Sequence, residues 1–185
     1  LDESSPDAKY EYLDGVARLM SGGSIEHDDI AFNMRTALKR QFSSSPCRVS
    51  GSDVRVLVGR KANGRPNYFY PDVTISCNAT DRRRGNKLIR SPRIVVEVLS
   101  PSTEKFDRTD KLKTYQACPT IQEIVLVSQF APHIEIYRRE EESSSQWSHV
   151  FYSSEQEVML ESVNVHISMD DLYAGIDLDE PLLDE

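Results

Sequence analysis

Apolar residues in this chain fall mostly into short β-branched runs bounded by turn residues, a pattern that predicts strands more often than helices. Residues 51–58 alternate like a half-buried strand, and 62–66 read as a turn. Residues 70–75 and 94–99 form two further strands, and 121–127 a buried one. Residues 134–138 and 147–152 frame the polar stretch 140–146 as a C-terminal β-hairpin. Helical spacing occurs in three places. Ser24 or the Glu26-His27 pair opens a helix through about Gln41, with Ile25, Phe32, Met34 and Leu38 as its apolar contacts. Another begins at Ser102 or Thr103 and stops before Pro119, and residues 170–173 make a short third. Residues 10–20 start as a short helix or turn and pass Gly15 into a strand. No internal repeat is present. The expectation is an α/β fold with a central mixed sheet flanked by helices, one domain over 1–176, and a frayed acidic tail over 177–185.

Two carboxylates interrupt the apolar strands. Asp72 stands in Tyr70-Pro71-Asp72-Val73-Thr74-Ile75 and Glu97 in Ile94-Val95-Val96-Glu97-Val98-Leu99. An ionised group buried without a partner costs several kcal/mol or shifts its pKa until it neutralises, so two such groups suggest a cation between them. Taken singly, either also suits an edge-strand charge or an ion pair with a neighbour such as Arg93. The pair is more telling, because residues 78–92 are long enough to bring the two strands side by side. In the helix that follows, Asp107, Lys111 and Tyr115 share one face, while Leu112 and Tyr115 supply part of the packing stripe. Lys111 is thereby presented beside the end of the Glu97 strand, although, taken by itself, it is better explained as a solvated i,i+4 partner of Asp107.

Length and composition fit one globule: 185 residues with 38% hydrophobic content can bury a substantial core. No apolar run approaches membrane-spanning length and no signal peptide is visible, so a cytoplasmic protein is expected, though the chain does not begin with Met. Cys47, Cys77 and Cys118 are widely spaced and are expected to be reduced core residues, neither a disulfide framework nor a zinc cluster. The formal net charge is −8, yet residues 140–185 contain no Lys or Arg, so the preceding part is net positive. An acidic total argues against broad DNA coating. Local contacts stay open: Arg82, Arg83, Arg84, Lys87 and Arg90 form a basic loop between the carboxylate strands, suited to a phosphate backbone or, as an ordinary loop, to solvent.

The order Pro71-Asp72, then Val96-Glu97-Val98-Leu99-Ser100-Pro101-Ser102-Thr103, then Asp107, Lys111 and Tyr115 resembles the Uma-type “putative restriction endonuclease” family of the PD-(D/E)XK nuclease superfamily. Tyr10-Glu11-Tyr12-Leu13-Asp14-Gly15, Met20-Ser21 and His27 resemble the opening of the same family, and the likeness runs from about Glu11 to about Gly175. It implies a restriction-endonuclease-like fold and metal-dependent hydrolysis of phosphodiester bonds in DNA. Asp72, Glu97 and the Val98 carbonyl would bind Mg²⁺ or Mn²⁺, with Glu11 an additional or supporting acidic group. A typical superfamily member carries lysine where this chain has Leu99; the resemblance implies that Lys111, rather than Lys113, takes its place. His27 is expected to hydrogen-bond at a helix start rather than to ligate metal. Two other classes remain: a catalytically silent nucleic-acid-binding or regulatory protein on the same fold, and a homodimeric protein-interaction module using the C-terminal hairpin and the acidic tail.

Overall fold

The structure is a computed structural model that describes residues 9–20, 22–60, 64–142 and 144–178. Strands β1 (Tyr10–Leu13) and β2 (Val16–Leu19) form a hairpin closed by Asp14 and Gly15, both at positive φ (55° and 90°). An Asp-Gly pair suits a two-residue turn of this kind, so the expected helix or turn before Gly15 is instead a strand. Ser24 caps α1 (Ile25–Gln41) by accepting from the His27 N–H. Ile30, Met34 and Leu38 repeat every four residues and point inward, with Ala31 beside them. Ile25 and Phe32 are exposed, contrary to expectation; Phe32 lies about 200° around the helix from Ile30.

The strand expected over 51–58 is divided between β3 (Arg48–Gly51) and β4 (Arg55–Arg60), because the Val54 N–H turns back to the Gly51 carbonyl. β5 (Pro66–Phe69) follows; the turn expected over 62–66 falls partly outside the described residues. Next come β6 (Val73–Ser76), β7 (Leu88–Ile89) and β8 (Ile94–Leu99). The expected second helix is real but not uniform: α2 (Glu104–Phe106) runs through a π turn (Asp107–Lys111) into α3 (Leu112–Gln116). The chain closes with β9 (Glu123–Ser128), the hairpin β10 (His133–Arg139) and β11 (Trp147–Ser153), a further hairpin β12 (Glu157–Leu160) and β13 (Val165–Ser168), and α4 (Met169–Leu172). Most of the acidic tail, from residue 179, lies outside the described residues.

Strand order is β11-β10-β9-β8-β6-β3 in a mixed six-stranded sheet and β2-β1-β5-β4-β7 in a second sheet. β8 is central and buried at every position, so Glu97 is no edge-strand charge, and Arg93 donates to the Ser162 carbonyl instead of pairing with it. Side-chain alternation along β8 serves two cores. Ile94, Val96 and Val98 pack toward α1 and α4, whereas Val95 and Leu99 pack with Phe69, Leu112 and Tyr115 on the other face. No helix among the described residues is long and apolar enough to cross a membrane.

One expectation is overturned at the sheet edge. Cys47 and Cys77 are joined in a disulfide, and only Cys118, buried, is free. Arg48 pairs with Ser76 across β3 and β6, so the residues one step further out meet, although 30 positions apart in sequence. Alkylation of the denatured, unreduced protein should therefore label Cys118 alone, and reduction should lower stability by about 3–4 kcal/mol, the scale for a loop of this length. Labelling of all three thiols would remove the bond.

Candidate active site

Asp72 and Glu97 meet where the chain passes from one sheet to the other. Pro71 lacks an N–H to extend the β5 ladder, and the chain enters β6 immediately after Asp72. Val73 pairs with Val96, so Asp72 and Glu97 occupy the next opposed positions, on the face shared with Val95 and Leu99. The Val98 N–H donates to Asp72 Oδ2 at 2.7 Å. From the first turn of α1, His27 Nε2 lies 3.4 Å from the same oxygen. Burial alone would lower the His27 pKa, but the Asp72 carboxylate and the Val98 carbonyl outweigh it and raise it. His27 is thus both a helix-start hydrogen-bonder through its N–H and a partner of Asp72 through its ring.

Lys111 enters from the π turn. Its Nζ lies 2.9 Å from Glu97 Oε1, 3.0 Å from Glu11 Oε1 and 3.4 Å from Asp107 Oδ1, and its side chain is only 5% exposed. Tyr115, one turn on, donates its hydroxyl to Glu97 Oε1, and the Tyr70 N–H donates to Glu11 Oε1 at 3.2 Å. Leu99 packs in the apolar cluster, so the ammonium reaches Glu97 from the helix rather than from β8. Lys113 is exposed. A π turn inside a helix recurs at functional sites, and here it carries both Asp107 and Lys111 into the interior.

Four carboxylates (Glu11, Asp72, Glu97 and Asp107) line a cleft of about 160 Å³ together with Lys111, Arg18 and His27. Burial pushes the Glu97 carboxyl well above the usual carboxylate range; Lys111 opposes that, while Asp107, Asp72 and Glu11 add to it. Asp107 is raised too, again mainly by burial. Burial would lower the Lys111 ammonium, but Glu97, Glu11 and Asp107 together hold it above the ordinary lysine value, so it stays protonated. Asp72 Oδ1 and Glu97 Oε2 accept no hydrogen bond among the described residues. Carboxylate and carbonyl oxygens are the donor type that Mg²⁺ or Mn²⁺ takes while keeping several waters. Among the described residues no three His, Cys, Asp or Glu side chains are grouped so as to hold a metal ion by themselves.

The basic loop lies elsewhere. It leaves the C-terminal end of β6 and enters the N-terminal end of β8, whereas Asp72 and Glu97 sit at the opposite ends of those strands, about 13 Å along the sheet. Asp81 organises it, accepting from Ser76 Oγ at 2.8 Å, the Arg90 N–H at 3.0 Å and the Ser91 N–H at 2.9 Å. Arg83, Arg84 and Lys87 point to solvent and Arg82 is half-buried, and none of them lines the cleft. The ring of His27 against Asp72 and the hydroxyl of Tyr115 on Glu97 are contacts that sequence reasoning missed. The i,i+4 series 107, 111, 115 pointed to the second; nothing local pointed to the first, which joins residues 45 apart.

Residues 1–170 match the Uma2 family, described as “Putative restriction endonuclease”. “Uncharacterized protein slr1290” of Synechocystis sp. is 32% identical over 168 residues, spanning 91% of this chain and 85% of that protein. “Uncharacterized protein sll1609” of the same organism is 27% identical over 138 residues, spanning 74% and 76%. The crystal structure of a “putative nuclease belonging to DUF820” from Anabaena variabilis shares the fold, with a TM-score of 0.72 over 89% of each chain at 16% identity. A family match across almost the whole described chain, with a relative above 30% identity, gives one conclusion: the chain belongs to the Uma2 “Putative restriction endonuclease” family.

Proposed function

We propose that this protein is a nuclease that hydrolyses phosphodiester bonds in DNA with Mg²⁺ or Mn²⁺ held by Asp72, Glu97 and the Val98 carbonyl. The observation that carries the reading is the excess of carboxylates in the cleft: Glu11, Asp72, Glu97 and Asp107 share it with the cations Lys111 and Arg18, and burial already disfavours the ionised form of Glu97. A bound dication would offset that excess and would supply an acidified water and charge neutralisation at the phosphate.

The remaining work falls to the protein. Asp72 is oriented by the Val98 N–H and His27, which fixes which oxygen stays available. Lys111 stays protonated and so is no general base; its role is to orient the attacking water and stabilise charge on the phosphate. Glu11 and Asp107 grip the ammonium from two further sides and act as positioning residues. The basic loop is remote from this chemistry; a DNA contact there would add affinity without touching the scissile phosphate.

Incubation of end-labelled DNA with the protein and Mg²⁺ or Mn²⁺ tests the reading. Cleavage that disappears with chelator and in Asp72→Asn is expected. Metal binding without cleavage of any DNA would assign the chain to the silent nucleic-acid-binding class.

A further inference from the structure

β2 is exposed along its whole length, yet one of its basic side chains lines the cleft. Arg18 stands directly opposite Glu11 in the register of the β1–β2 hairpin, so both side chains leave the same face. Glu11 grips Lys111, and the hairpin thereby fixes Arg18 relative to that ammonium. Arg18 Cζ sits 4.1 Å over the Phe106 ring, a contact that restrains the guanidinium without using its N–H donors. Among the described residues no hydrogen bond or ion pair engages those donors, although four carboxylates line the same cleft. Glu11 Oε1 is already taken by Lys111 and the Tyr70 N–H. Arg18, Glu11 and Phe106 also line a second cavity of about 410 Å³, which extends outward past Val16, Asp110 and Thr114. Arg18 thus stands on the rim between the two.

We propose that Arg18 binds the DNA phosphate next to the one that is cleaved, on the side of the outer cavity. The identity of this ligand rests on the nuclease reading above. Carboxylates in the cleft repel a phosphodiester, so a strand needs a cation whose donors are free. Lys111 is committed to Glu97, Glu11 and Asp107, and the His27 ring to Asp72. Arg18 is left. Its planar fork matches a phosphate bidentately, where an ammonium offers only a point charge. A strand that leaves the reacting phosphate toward the outer cavity crosses the rim on which Arg18 stands, so the contact falls on a neighbouring phosphate. Arg18 is therefore a substrate-binding residue, and Lys111 keeps the reacting phosphate to itself.

Fluorescence anisotropy of labelled DNA over a range of salt, with Ca²⁺ in place of Mg²⁺, tests the proposal beside the cleavage assay. Arg18→Gln should weaken binding about 10-fold. It should also flatten the slope of log affinity against log salt by about 0.9 for duplex or about 0.7 for single-stranded DNA, the loss of one phosphate contact. Arg18→Lys keeps the charge and loses the fork, so it should keep the slope and recover only part of the affinity. Lys39→Gln removes the same charge at an exposed position of α1, about 18 Å along the helix from His27, and should match the wild type in both. If the wild type cleaves nothing while Arg18→Gln shows both losses, the nuclease reading fails and the phosphate contact stands. Unchanged affinity and slope in Arg18→Gln, equal changes in Lys39→Gln, or a wild type that binds no DNA overturns the proposal whatever the cleavage assay shows. If Arg18→Gln fails to fold, wild-type affinity in Arg18→Lys overturns it.

Discussion

Lys111→Met should lose DNA cleavage by about 10²–10³-fold and should lose about 3–5 kcal/mol of stability without metal. The two effects share one cause. The ammonium is buried among Glu97, Glu11 and Asp107, so its removal strips three carboxylates of their common counter-charge. Mn²⁺ should return part of that stability, because a ligand that binds only the folded state stabilises it by mass action. Lys113→Met, at an exposed position, should be nearly silent in both assays. Denaturant unfolding with and without Mn²⁺, read beside cleavage rates, checks this. Equal losses in the two variants would mean that the π turn does not present Lys111 to the cleft.

Replacing the two carboxylates should separate metal affinity from stability. Asp72→Asn and Glu97→Gln should each weaken Mn²⁺ binding by more than about 100-fold, beyond the range for outer-shell partners. Their effects on the metal-free fold should differ. Glu97 has a raised pKa in the folded protein, so between about 4.3, the value for a free Glu, and that raised value the folded state binds the extra proton. Stability from this group is therefore complete below the unfolded value and is lost as pH rises through the folded one. Glu97→Gln should flatten that fall and leave the metal-free protein more stable than the wild type at pH 8. Calorimetric unfolding from pH 5 to pH 8 reads the difference; an unchanged slope would mean that Glu97 is not the group that takes up the proton.

Much of this site was legible because it rests on local rules. A carboxylate in each of two β-branched runs, a connection long enough to pair them, and a lysine one helical turn beyond an aspartate all survive into the structure as Asp72, Glu97, Asp107 and Lys111. Long-range geometry was not legible. Nothing within α1 places the His27 ring on Asp72, and nothing in 47 or 77 announces a bond closed by a ladder register. Direction was lost too: the basic residues 82–90 lie between the two strands in sequence, yet antiparallel pairing sends that connection to the end of the sheet away from the carboxylates. Phe32 and Ile25 satisfied hydrophobicity but not the helical face that Ile30, Met34 and Leu38 define.

The most direct test of the proposed metal centre is a crystal of the protein soaked in Mn²⁺ and measured for anomalous scattering. The account predicts one peak in the cleft, about 2.0–2.6 Å from a carboxylate oxygen of Asp72, one of Glu97 and the Val98 carbonyl, with Lys111 Nζ outside the coordination shell. A peak at other residues, or none here at a concentration that saturates binding in solution, would contradict it.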